Sequence, residues 1–177
     1  VLPEGAGVFY DYVYDDKLNE VKPDFLNGTT LVLDIGDQTI NRLVFIDGEY
    51  RDELCGSIDS GLHKAHATIQ SQFEDLGVDY SLAEISDAIV KNKPLYIGKE
   101  PKDVHSMAQK YYAEIAAEIF RNVAGKIQIK RIRNVLIGGG GALNLHSQLV
   151  RYFSTANIGF AQRQSPWMNA NGFRKMY

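Results

Sequence analysis

The apolar pattern of the chain changes period along its length. Residues 30–36 are almost continuously apolar, which predicts a strand buried on both faces of a sheet. Residues 41–46, with Leu43, Val44 and Phe45, predict a second strand. Asp47-Gly48 between them and residues 49–56 is a two-residue hairpin signal, because both positions favour φ > 0. Residues 49–56 then complete a three-strand antiparallel meander.

Beyond this point the period becomes helical. Leu62, Ala65, Ile69 and Phe73 share one face of a helix that Ser60 can cap and that runs to about residue 76. Ser81 and Glu84 form a capping box for a short helix carrying Leu82, Ile85 and Ile89. A polar connection with two prolines follows, with a short strand at residues 95–97. The longest helix spans residues 104–123, with Val104, Ala108, Tyr111, Ile115 and Ile119 as its core stripe and Gly125 as its stop. A strand at residues 134–137 runs into Gly138-Gly139-Gly140-Gly141 and a helix at residues 144–152. The segment NIGFAQ is a last strand, and PWMNANGFRKMY closes the chain as a helix. The order β-β-β-α-(α)-α-β-α-β-α predicts an α/β fold: a mixed five-stranded sheet with helices on both faces.

Composition narrows the class. The 177 residues suit one domain with its own core, and 45% apolar with 23% charged residues is a globular balance. A net charge of −3 gives no bias toward nucleic acid or anionic membrane. Cys55 is the only cysteine, so no disulfide can form within the chain, and a reducing, cytoplasmic setting is expected. No apolar run approaches the ~20 residues that span a bilayer. The chain starts without Met and without a signal-peptide pattern, and its N-terminus reads as the cut edge of a longer protein.

Three places carry candidate chemistry. The apolar strand ends on Asp34 and opens into Gly36, Asp37 and Thr39. Small residues let backbone N–H groups approach phosphate oxygens, and Thr39 adds a hydroxyl. A carboxylate beside phosphates is repelled unless a cation intervenes, so Asp34 suits a water-mediated contact to Mg²⁺. Gly138, Gly139 and Gly140 leave a strand and open a helix, which permits close backbone contact with a flat or anionic ligand. They match neither G-x-G-x-x-G with its downstream acid nor a P-loop. Glu4, after Pro3 and before Gly5, is a carboxylate that could orient a water or act as a base from the end of a strand. His63 and His66 lack metal-spaced partners and read as residues of a polar helix face; His105 and His146 are isolated.

Taken in order, Pro3-Glu4, Asp34-Ile35-Gly36 with Thr39, Leu136-Ile137-Gly138-Gly139-Gly140 and Asn171-Gly172-Phe173 resemble the actin, Hsp70 and sugar-kinase ATPase superfamily. They are similar in particular to the C-terminal half of plasmid-segregation actin-like proteins of the ParM/StbA type. The resemblance implies a ribonuclease H-like domain, one lobe of a two-lobed protein whose N-terminal lobe is not in this chain. It implies that Glu4 orients the attacking water and that Asp34 lies near Mg²⁺. Gly36, Asp37 and Thr39 would form the phosphate-contacting turn, and Gly138, Gly139 and Gly140 would contact adenine and ribose. Two features depart from the family: Asn41 stands where an Asp is frequent, and the first phosphate loop is missing.

The functional expectation is a nucleotide-binding lobe of a filament-forming ATPase that uses ATP (or GTP) and Mg²⁺. It would hydrolyse ATP only within a complete two-lobed protein. Partners would be further copies of itself and an adaptor protein linking the filament to plasmid DNA, with no direct contact to nucleic acid or membrane. The alternatives are a sugar or acid kinase of the same superfamily, and a non-catalytic scaffold for protein contacts.

Overall fold

The computed structural model describes residues 3, 5–161 and 168–176. Among these residues six α-helices surround one main sheet: α1 (Ala6–Val13), α2 (Leu62–Glu74), α3 (Leu82–Val90), α4 (Val104–Ala124), α5 (Ala142–Tyr152) and α6 (Met168–Met176). The strands are β1 (Thr29–Ile35), β2 (Ile40–Ile46), β3 (Glu49–Tyr50), β4 (Gly56–Ile58), β5 (Leu95–Ile97), β6 (Glu100–Lys102), β7 (Ile132–Gly138) and β8 (Asn157–Phe160). The main sheet runs β3-β2-β1-β7-β8, and β4 continues the edge that β3 begins on β2. Strands β1, β7 and β8 are parallel, whereas β2 and its edge partners run antiparallel. The sheet is therefore five strands wide, mixed and covered on both faces, as expected.

The pleat assigns each face. Leu31, Leu33, Ile35, Val135 and Ile137 point into the larger core beneath α2, α4 and α5. Val32, Phe45 and Leu136 point the other way, against Val8 and Phe9 of α1. Alternation along a strand thus places Asp34 on the α1 side, in phase with Val32. The hairpin turn is as read from the sequence: Asp47 has φ 52° and Gly48 φ 78°. The capping box of α3 is also present, with Ser81 and Glu84 satisfying each other's backbone amides.

Several expectations are corrected. The strand read over residues 49–56 is broken by a 3-10 turn at Asp52–Leu54. The cause is visible in two side chains. Buried Arg42 donates from Nε to the Leu54 carbonyl and from Nη2 to the Cys55 carbonyl, pulling both out of line. The Cys55 sulfur accepts the Val44 amide that a regular ladder would use. The strand at residues 95–97 exists, but it pairs with β6 in a separate hairpin. Ser60 does not cap α2; its hydroxyl donates to Glu118, and Gly61 occupies the cap position. In α4 it is Tyr112, fully buried, that takes the stripe position assigned to Tyr111. His66 is buried, not on a polar face.

The N-terminal segment, read as the end of a strand, is helix α1 from Ala6 onward. It lies against α6 through two glycines. A Cβ on Gly172 would stand 1.9 Å from the Gly7 carbonyl oxygen, and one on Gly7 would stand 2.3 Å from the Asn169 carbonyl oxygen. No side chain fits this crossing, so Gly172→Ala should separate the helices and destabilise the fold by about 1–3 kcal/mol. Gly125, with φ −70° and no backbone atom nearer than 3.5 Å, is the control, and its Ala variant should be neutral or more stable by up to ~1 kcal/mol. Urea unfolding midpoints of the two variants check the contrast.

Candidate functional site

The site is built at the carboxyl ends of β1 and β7. These neighbours are parallel, with Asp34 opposite Gly138. At this edge the chain leaves in two directions: β1 turns into the β2 hairpin, and β7 runs into α5 beside β8. Divergence of two adjacent parallel strands opens a crevice at their carboxyl ends, where ligands of open α/β sheets bind. The turn at residues 36–39 and the glycine loop at residues 138–141 stand side by side at this edge, as its two lips.

Each lip is rigidly held. Gly36 donates to the Thr39 carbonyl at 2.9 Å, closing the turn. The amino end of α2 then takes the turn's outer carbonyls: Gly61 donates to Gln38 (2.9 Å) and His63 to Asp37 (2.8 Å). A Cβ at Gly61 would sit 2.0 Å from the Asp37 oxygen, so this docking requires glycine. The side chains of Asp37, Gln38 and Thr39 stay exposed on the crevice rim. On the other lip, Gly141 donates to the Ile35 carbonyl at 2.9 Å, tying the start of α5 to the end of β1.

The glycines divide the work. Gly138 is still strand, and a Cβ there would strike Val8 of α1 at 2.5 Å. Gly139 has φ 88°, and a Cβ would stand 2.6 Å from Asp34 Oδ1. Gly140 is exposed, with open space where a side chain would be. The loop therefore brings bare backbone against the Asp34 carboxylate and presents Gly140 to solvent.

Asp34 itself is 8% exposed. Its Oδ2 accepts from Asn169 Nδ2 at 3.0 Å, and Asn169 Oδ1 accepts the Gly5 amide at 3.0 Å. Asn169 thus joins the carboxylate to the start of α1, a role that sequence reading missed. Gly5 and Gly7, two apart in the chain, were the available sign of a close backbone approach at this place. Glu4 lies outside the described residues. Among the described residues no group of three His, Cys, Asp or Glu side chains could hold a metal ion. A single carboxylate nonetheless suits Mg²⁺, which keeps most of its waters and takes one or two protein carboxylates plus phosphate oxygens.

Behind the lips is a buried polar chain. His66 Nε2 and Tyr112 Oη are 3.0 Å apart, and Asn144 Nδ2 donates to the same hydroxyl at 3.0 Å. Next to it a cavity of about 230 Å³ lies between α3, α4 and the first turn of α5, lined by Val90, His105, Gln109, Tyr112, Leu143 and Asn144 among others.

These features define the class: an α/β domain of the actin-like fold. The chain belongs to the MreB-like family of archaeal actin homologues, whose C-terminal domain model matches residues 32–151. No curated protein matches the chain. Among solved structures it is similar to Ta0583, an archaeal actin homolog (TM-score 0.81, 17% identity, 99% of this chain and 54% of that one). Ta0583 is also known in complex with ADP (TM-score 0.79, 18% identity, 99% and 56%). A 15-stranded ParM filament from Clostridium botulinum is similar as well (TM-score 0.78, 19% identity, 99% and 53%). The chain spans about half the length of these proteins. No helix among the described residues is long and apolar enough to cross a membrane.

Burial holds the His66 pKa below its ordinary 6.5; nearby Asp37 raises it and His63 lowers it further. The unfolded chain then binds this proton more readily than the folded one. Stability contributed by the neutral ring is complete above pH 6.5 and is lost as pH falls through that value toward the folded pKa. Urea titrations from about pH 7.5 to about pH 5.5 should show a steeper loss for the wild type than for His66→Gln, which does not titrate. Equal slopes would contradict the assignment.

Proposed function

We propose that this chain is the nucleotide-binding lobe of a filament-forming actin-like ATPase. The observation that carries the reading is the parallel β1–β7 pairing, which sets Asp34 and the glycine loop side by side at one crevice. The phosphates would lie over the turn formed by Gly36, Asp37 and Thr39. The ribose and base would lie along Gly138, Gly139 and Gly140, with the base entering the cavity beside Leu143 and Asn144. Asp34 would face Mg²⁺ through water; the ion would supply the positive charge that offsets the phosphates. Glu4 would orient the attacking water, as the superfamily resemblance implies. The ADP complex of Ta0583 and the ParM filament support the nucleotide and the self-association respectively. Hydrolysis would need a second lobe to close over the phosphates, since half the contacts bind weakly. Within a cell, self-association would move cargo, with plasmid DNA attached through an adaptor protein as the ParM-type role. The cleft would take ATP or GTP, and the protein would work in the cytoplasm.

The sign of the Asp34 effect tests the metal role. Asp34→Asn keeps an oxygen that can accept from Asn169. With Mg²⁺ present, the variant should bind ADP about fivefold more weakly, the equivalent of roughly 1 kcal/mol for one charge contact near a surface. With EDTA the order should reverse, because the wild-type carboxylate then repels the phosphates. Calorimetric titrations of both proteins check it. Failure of ADP to bind in either condition would overturn the reading.

A further inference from the structure

Three buried or half-buried polar groups from three helices meet behind the crevice, and the bonds among them are not needed for any contact to the nucleotide. His66 is 7% exposed and Tyr112 fully buried, while Asn144 is half-buried. A fully buried tyrosine is a large apolar body with one polar atom, and that atom must find partners. The Tyr112 hydroxyl has two, and their chemistry fixes the direction of the chain. The Asn144 amide nitrogen can only donate, so Tyr112 Oη accepts there. A buried hydroxyl proton finds a partner, and His66 Nε2 at 3.0 Å is the one beside it, which assigns that nitrogen as the unprotonated one of a neutral ring. The depressed pKa of His66 agrees with this.

The two ends of the chain are tied to the two lips. His66 stands one turn along α2 from Gly61 and His63, whose amides hold the carbonyls of Gln38 and Asp37. Asn144 is in the first turn of α5, and its own amide donates to the Gly141 carbonyl at 3.1 Å. Leu62 of α2 also packs where a Cβ on Gly141 would come, 2.9 Å away. A displacement of the glycine loop is thus connected to α2, and through α2 to the phosphate turn, by polar bonds crossing α4 at one atom.

We propose that Tyr112 is a positioning residue that couples the base side of the crevice to the phosphate side. Its hydroxyl receives from Asn144 and donates to His66, so occupancy beside the glycine loop sets the placement of α2 and of the turn it carries. This rests on the nucleotide reading of the crevice. Bonds of this kind in a low-dielectric interior are directional and costly to leave half made, which is what lets them transmit a displacement. Removing the hydroxyl while keeping the ring cuts the link and leaves the packing.

The test uses adenosine, a probe with a base and ribose but no phosphate, titrated into the chain and followed by NMR. In the wild type it should shift the amides of Gly139, Gly140 and Gly141, the Asn144 side-chain amide and the His66 ring signals. In Tyr112→Phe the loop and Asn144 should still shift, while the His66 response is lost. Where Tyr112→Phe does not fold, His66→Leu cuts the chain at its other bond: adenosine should still shift Gly139, Gly140 and Gly141, while the amides of Asp37 and Gln38 no longer respond as they do in the wild type. Pyrophosphate, entering from the other side, should shift Asn144 in the wild type and in His66→Gln, which keeps an acceptor, but not in His66→Leu. A His66 response that persists in Tyr112→Phe, with the loop still responding, overturns the coupling and leaves the nucleotide site intact. Adenosine that fails to move the loop in the wild type overturns the nucleotide reading and the coupling with it.

Discussion

The parallel pairing of β1 with β7 is the constraint on which the rest of the molecule depends. It joins residues about a hundred positions apart in the chain, Asp34 and Gly138, as lateral neighbours. In a parallel ladder, neighbours in register point to the same face. Asp34 and Gly138 therefore face the α1 side together, and the next residue, Gly139, must let backbone pass the carboxylate. Its φ of 88° and the 2.6 Å left between a Cβ position and Asp34 Oδ1 express that demand. A side chain at Gly139 would be strained twice, by conformation and by contact.

Around this pairing the chain closes one wall from three distant segments. The start of α1, the end of β1 and α6 meet through Asn169, which accepts from Gly5 and donates to Asp34. The contact is possible because Gly7 and Gly172 let the two helices touch backbone to backbone. A buried carboxylate is costly unless its oxygens are met by donors, and Asn169 is one of those donors. On the opposite face of the sheet, α2 and α5 attach to the two lips by main-chain hydrogen bonds, and Tyr112 bridges them from behind. The crevice is held from both faces of the sheet.

Much of this was legible in the sequence where the physics is local. Asp47-Gly48 marks the hairpin because a type I′ turn needs two positive φ values, and both are present. Ser81 and Glu84 mark the start of α3 because the capping box is complete within four residues. Leu62, Ala65, Ile69 and Phe73 mark the buried face of α2 by spacing alone. That the acid-ended strand and the glycine run serve one nucleotide came only from the family resemblance; the β1–β7 register sets Asp34 beside Gly138. What was missed depends on tertiary partners. Helix α1 shows little local periodicity, because nearly all of its first turn is buried between the sheet and α6. The break between β3 and β4 comes from Arg42, whose guanidinium also reaches Asn122 on α4. Tyr111 and Tyr112 differ by one residue on a helix, and only the positions of α2 and α5 decide which is buried. His66 looks polar in sequence, and as a core residue its ring has the Tyr112 hydroxyl within 3.0 Å as a partner.

A single crevice that takes both halves of a nucleotide is tested most directly by a crystal structure of the chain grown with ADP and Mg²⁺. The expected result is phosphate density over the amides of residues 36–39, the base in the cavity beside Leu143 and Asn144, and the metal's waters facing Asp34. Density for the nucleotide on another surface, with the Asp34 crevice filled by solvent, would contradict it.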